Sequence, residues 1–115
     1  MSVTIYHNPR CSKSRQALAI LEDKGVQLDV IEYLKTPLSA ADIKGLATLL
    51  AIENSPRAMM RVKEDDYKNN NLAEANDAAL FKAMAEYPKL IERPIIVHGS
   101  KAIIARPPEK ALDII

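Results

Sequence analysis

The segment His7-Asn8-Pro9-Arg10-Cys11-Ser12-Lys13-Ser14-Arg15 gathers the only cysteine of the chain, one of its two histidines and three cationic side chains. A thiol in such company is set up to ionise. If Cys11 opens a helix, the dipole places about half a positive charge beside it, and unpaired N–H groups of the first turn can face the sulfur. Arg10, Lys13 or Arg15 would add to this on close approach. The expected chemistry is nucleophilic attack by a thiolate near neutral pH. The same N–H groups could hold an oxyanion next to the sulfur. A lone cysteine is more often a small buried hydrophobe. This one follows Pro9 among polar residues, outside the apolar periodic run where a structural thiol belongs. His7 either hydrogen-bonds locally or tunes the thiol, and is placed behind Cys11 as a supporting residue.

The elements around this segment must deliver it. Val3 to Tyr6 is a short β-branched strand that ends in the His7-Asn8-Pro9 loop. Ser14, Ala17, Leu18 and Leu21 then share one helical face, with Gly25 at the C-terminal glycine position, so Cys11 falls at the helix N-terminus. Gln27 to Tyr33 reads as a second strand whose parallel pairing with the first completes a βαβ unit. Ser39-Ala40-Ala41-Asp42 has the form of a capping box ahead of Ile43, Leu46, Ala47 and Leu50. A short helix is expected over Ala58–Val62, a loop over Glu64–Asn71, and a helix from about Asn76 to Tyr87. Pro94–His98 and Lys101–Ala105, joined by Gly99-Ser100, form a hairpin. Pro107-Pro108 opens a terminal helix.

The order βαβ, helices, ββα predicts an α/β fold of the thioredoxin-like kind. It has a four-stranded mixed β-sheet flanked by helices, with a helical insertion between the two halves. At 115 residues, one domain over 1–115 is expected. The composition, 48% hydrophobic and 27% charged, is that of a globular chain, not of a disordered or fibrous one. A formal net charge of +1 provides no broad field for nucleic acid or an anionic membrane, so an anion site must be local and neither is an expected partner. One cysteine excludes an internal disulfide, and His7 and His98 are too few to complete a common zinc site with it. No metal is expected. The Met1–His7 start has no cationic, apolar leader character, and no apolar run approaches bilayer length, so the expected location is the cytoplasm. The cluster Lys63-Glu64-Asp65-Asp66 reads as a solvated loop and Met59-Met60 as core packing.

Taken together, these residues resemble the glutaredoxin-dependent arsenate reductases (ArsC-like). The resemblance rests on Ile5-Tyr6-His7-Asn8-Pro9 leading to Cys11 and Ser14-Arg15, on Arg57-Ala58-Met59-Met60-Arg61, on Arg93-Pro94-Ile95-Ile96-Val97 and on Arg106-Pro107. It implies that Cys11 attacks arsenate and that Arg61, Arg93 and Arg106 bind the oxyanion, with His7, Asn8, Ser14 and Arg15 supporting. It also implies a cis bond before Pro94. Guanidinium forks suit a tetrahedral oxyanion and would offset its repulsion of a thiolate. Arg57, off the family position, reads as a solvated surface residue.

Reducing arsenate to arsenite takes two electrons, and one thiol that must return unchanged cannot supply both. The resemblance therefore implies no bound cofactor, glutathione as co-substrate, and glutaredoxin as the partner that resolves a mixed disulfide. Two alternatives stand beside it. One is a glutathione-dependent thiol-disulfide oxidoreductase, which gives no reason for three arginines. The other is an RNA-polymerase-binding regulator of the same fold, whose usual Cys-x-x-Cys switch is here Cys11-Ser12-Lys13-Ser14.

Overall fold

The computed structural model describes residues 2–115. Two compact units divide the chain: Met1–Thr36 with Arg93–Ile115, and Pro37–Glu92.

The first unit holds the sheet. Strands β1 (Val3–Tyr6), β2 (Leu28–Ile31), β3 (Ile95–His98) and β4 (Lys101–Ile104) lie in the order β2-β1-β3-β4. β1 runs parallel to β2 and antiparallel to β3, and β4 closes the hairpin on β3. Gly99 takes φ +64°, the left-handed conformation that a two-residue hairpin turn requires. Helix α1 (Ser12–Asp23) crosses from β1 to β2 and buries Ser14, Ala17 and Leu21. Its end is turned by Gly25 at φ +70°, whose N–H donates to Glu22 O. Val3, Ile5, Ala17, Leu21, Ile96, Ala105, Ala111 and Ile114 form one core between the sheet, α1 and the terminal segment. Each large aliphatic side chain fully buried there contributes about 1.5–3 kcal/mol. β2 is an edge strand, shorter than the expected Gln27–Tyr33, with Val30 exposed.

The second unit is helical. Helix α2 (Ala40–Leu49) begins with the expected capping box, in which Ser39 Oγ accepts from Asp42 N–H and Asp42 Oδ2 from Ser39 N–H. α2 packs on α4 (Asp77–Glu86), which Asn76 caps. Three expectations are corrected, the first by a neighbour distant in sequence. Ala58–Val62 is not a helix: a 3-10 turn covers Pro56–Met59, and Met60 is extended because it bridges to Ile91. The loop expected over Glu64–Asn71 contains a short helix, α3 (Asp65–Asn69). The terminal helix, in the first unit, is 3-10 throughout, over Pro108–Asp113.

This is a thioredoxin-like α/β architecture, with a four-stranded mixed sheet, flanking helices and an inserted helical segment between βαβ and ββα. No helix among the described residues is long and apolar enough to cross a membrane.

Candidate functional site

Sheet register assembles the site. Tyr6 pairs with Ile95, and Ile95 with Ile104, so the end of β1, the start of β3 and the end of β4 meet at one edge of the unit. The loop leaving β1 carries Cys11, the residues before β3 carry Arg93, and those after β4 carry Arg106. Both arginines precede cis peptide bonds, Arg93-Pro94 as the resemblance implied and Arg106-Pro107, which the sequence reading did not anticipate.

Cys11 is the N-cap of α1 and is half-buried. Its sulfur closes no regular capping hydrogen bond, yet its thiol lies below the ordinary value. Burial, the largest single influence, opposes ionisation. It is outweighed by the Ser14 N–H, the Arg93 guanidinium acting by hydrogen bond and by charge, and the Lys13 N–H. The cationic help thus comes from Arg93, across the sheet. Lys13 acts through its main chain, and neither the Arg10 nor the Arg15 side chain is among the causes.

The loop is fixed by its own polar groups. Ser14 Oγ, fully buried, accepts from Asn8 N–H at 3.0 Å and lies 2.6 Å from His7 Nδ1. Asn8 Oδ1 accepts from Arg10 N–H, and Asn8 O from Cys11 N–H, both at 3.0 Å. Arg15 Nη1 donates to Pro9 O at 2.9 Å. His7 is 5% exposed and its pKa is lowered. Burial is the main cause, with Glu32 and Glu22 raising it and Arg15 lowering it. At neutral pH the ring is uncharged, so His7 supports the loop as a hydrogen-bonding partner and not as a cation. Glu32, whose carboxylate acts on His7, lies in the second strand region and carried no sequence signal of that role.

Arg93 and Arg106 are linked, because Arg106 Nη1 donates to Arg93 O at 3.2 Å. Arg93 Nε is buried and meets no acceptor among the described residues. Arg61 belongs to the second unit, where its Nη1 pairs with Glu64 Oε1 at 2.6 Å. Arg57 is not a solvated residue. It donates from Nε to Tyr67 Oη at 3.1 Å and from Nη2 to the carbonyls of Leu72, Ala73 and Ala75 at 2.8, 3.1 and 2.8 Å. No group of three or more His, Cys, Asp or Glu suited to a metal occurs among the described residues.

Comparisons with known proteins point to one family. The ArsC family model matches residues 6–114. An arsenate reductase of Haemophilus influenzae is 49% identical over 117 aligned positions, covering all of both chains. One of Escherichia coli is 38% identical over 99% of this chain and 81% of its own. Among solved structures, an arsenate reductase from Vibrio cholerae shares 54% identity at a TM-score of 0.95, covering 100% of this chain and 98% of the other.

These findings carry the family, and they correct the finer assignment. A glutathione- and glutaredoxin-resolved cycle is a relay over several cysteines, and Cys11 is the only thiol in the sequence. The glutaredoxin-dependent subtype, glutathione as co-substrate and glutaredoxin as partner are therefore withdrawn, together with the glutathione-dependent oxidoreductase alternative. With a match along nearly its whole length, the chain belongs to the ArsC family.

Proposed function

We propose that the chain carries out an arsenate-reductase-type reaction in which the Cys11 thiolate is the nucleophile and Arg93 and Arg106 hold the oxyanion. One observation carries the reading: Arg93 lowers the Cys11 pKa by direct hydrogen bond and charge, while its own buried Nε has no acceptor among the described residues. A buried guanidinium donor left unpaired costs stability, and an anion seated beside the sulfur would satisfy it. The names of the Haemophilus, Escherichia and Vibrio relatives support arsenate as that anion.

Attack of Sγ on arsenic substitutes sulfur for one oxygen, which leaves as hydroxide and is protonated to water. No electrons change hands at that step. Reduction from As(V) to As(III) then takes two electrons from an external dithiol, which is oxidised to its disulfide, while the arsenic leaves the sulfur as arsenite and Cys11 returns as a thiol. The guanidiniums stabilise the charge gathering on the departing oxygen and reduce the repulsion between thiolate and anion. His7, Asn8, Ser14 and Arg15 hold the loop that aims the sulfur. The cytoplasm, where thiols are kept reduced, suits a solitary reactive cysteine.

The test is arsenite formation with a small chemical dithiol as reductant. Cys11→Ser should fall to the uncatalysed background and Arg93→Ala should weaken arsenate use. In parallel, arsenate should protect Cys11 of the wild type from iodoacetamide. A Cys11→Ser protein as active as wild type would remove the proposal.

A further inference from the structure

The turn that leads into α1 places two cations beside Cys11 on its solvent side. Asn8 O accepts from Cys11 N–H, so Pro9 and Arg10 form the corner of a tight turn, and Arg10 is exposed there. Lys13 is exposed on the first turn of α1, next to the buried Ser14. The main chain of each is committed, Arg10 N–H to Asn8 Oδ1 and Lys13 N–H to the sulfur. Their side chains are not. Among the described residues neither makes a hydrogen bond or an ion pair, whereas the Arg15 side chain donates to Pro9 O. Neither charge is among the influences on the Cys11 pKa, to which the Arg93 guanidinium contributes. Two cations thus flank the nucleophile without serving its ionisation.

Attack on arsenate is the first of two encounters at Cys11. The second brings an external dithiol to the arsenic held on the sulfur. Its two thiols close to a disulfide and give up two electrons, arsenic leaves Sγ as arsenite, and the two protons go to Sγ and to an arsenite oxygen. Exposed and unpaired cations at the rim of a site act on what arrives from solvent. Because the formal net charge of the chain is only +1, their field is local and suits a small anion, not the broad acidic face of a protein.

We propose that Arg10 and Lys13 form a cationic rim that selects a small carboxylate-bearing dithiol as the reductant at Cys11. The inference rests on the reading of Cys11 as the nucleophile of an arsenate-reductase-type reaction.

The double substitution Arg10→Gln, Lys13→Gln removes both charges and keeps both main-chain N–H groups. Two matched pairs of reagents then isolate charge. Iodoacetate and iodoacetamide consume the same thiolate, so the ratio of their rates does not depend on its pKa. With one cysteine in the chain, all alkylation reports on Cys11. Dihydrolipoate and dihydrolipoamide are the same dithiol with and without a carboxylate, and the ratio of their kcat/KM values is read at saturating arsenate. The double variant should lower both ratios by about threefold to tenfold, the scale for two exposed cations. High salt should bring the wild-type ratios toward those of the variant.

An unchanged iodoacetate ratio would show that the two charges do not act on the approach to Cys11, and the inference would fall. An unchanged dithiol ratio, with the KM for arsenate raised instead, would assign the rim to arsenate and overturn the inference while the reading of the site stands. Failure of that reading looks different: Cys11→Ser would then form arsenite at the wild-type rate with both dithiols.

Discussion

His7 Nδ1 lies 2.6 Å from Ser14 Oγ, and both side chains are buried beneath the loop that carries Cys11. One hydroxyl thus serves two groups, the imidazole and the Asn8 N–H, and so ties the end of β1 to the first turn of α1. Ser14→Ala leaves both without a partner in a site that water does not enter freely. Stability should fall by about 1–3 kcal/mol, read as a lower urea midpoint at unchanged m-value. The same variant should react more slowly with iodoacetamide, because the Ser14 and Lys13 N–H groups lose their fixed place around the sulfur.

The lowered pKa of His7 makes stability depend on pH with a definite sign. The folded chain disfavours the imidazolium, chiefly by burial, whereas the unfolded chain takes up the proton near pH 6.5. The unfolded state then binds more protons, and stability falls as pH drops through that value, levelling off below the folded pKa. Urea midpoints measured between about pH 7.5 and pH 5 should show this decline, and His7→Gln should remove its share of it. Glu32→Gln withdraws a carboxylate that favours protonation, so the His7 ring-proton titration should move to lower pH.

What was legible in the sequence is what local rules decide. The strand Val3–Tyr6, the N-terminus of α1 at Cys11, the glycine at 25, the Ser39–Asp42 box and the Gly99-Ser100 hairpin each depend on residues within a few positions of one another. So does the polar loop from His7 to Arg15. The partner of the thiol was not legible that way. The nearby Arg10, Lys13 and Arg15 looked like its cations, yet the acting guanidinium belongs to Arg93, brought there by the pairing of Tyr6 with Ile95. Only the family resemblance pointed to Arg93 and Arg106. The middle of the chain misled for the same reason. Met60 is extended because Ile91 lies opposite it, and periodicity within Ala58–Val62 carries no trace of a neighbour thirty residues away.

Arg57 is the other residue whose role hides in distant partners. Its guanidinium joins the 3-10 turn Pro56–Met59 to Tyr67 of α3 and to three carbonyls over Leu72–Ala75. Arg57→Ala removes a donor from each of those carbonyls, of which Leu72 O keeps the Ala75 N–H, and should cost about 1–3 kcal/mol. Arg57→Lys should recover little, since an ammonium on a flexible stem cannot reproduce the planar fork. Amide hydrogen exchange should speed up over residues 65–75 in both variants and stay unchanged in β1 and β3. Uniformly faster exchange through the whole chain would contradict the local clamp.

The thiol itself gives a pH signature of opposite kind. Folded Cys11 ionises below the ordinary thiol range, so over an interval of pH the folded chain holds thiolate where the unfolded chain still holds thiol. Stability from this difference is complete above the unfolded thiol's pKa, about 8.5, and is lost as pH falls through the folded value. Relative to Cys11→Ser, the wild type should therefore gain stability as pH rises toward the unfolded thiol's value. Arg93→Ala removes a hydrogen bond and a charge that favour the anion and leaves burial, which opposes it, less opposed. The midpoint of the iodoacetamide rate against pH should move upward in that variant, and the stability gain should shift to higher pH with it. A midpoint identical to wild type would mean that the helix N–H groups alone hold the thiolate, and the oxyanion site would lose its link to the nucleophile.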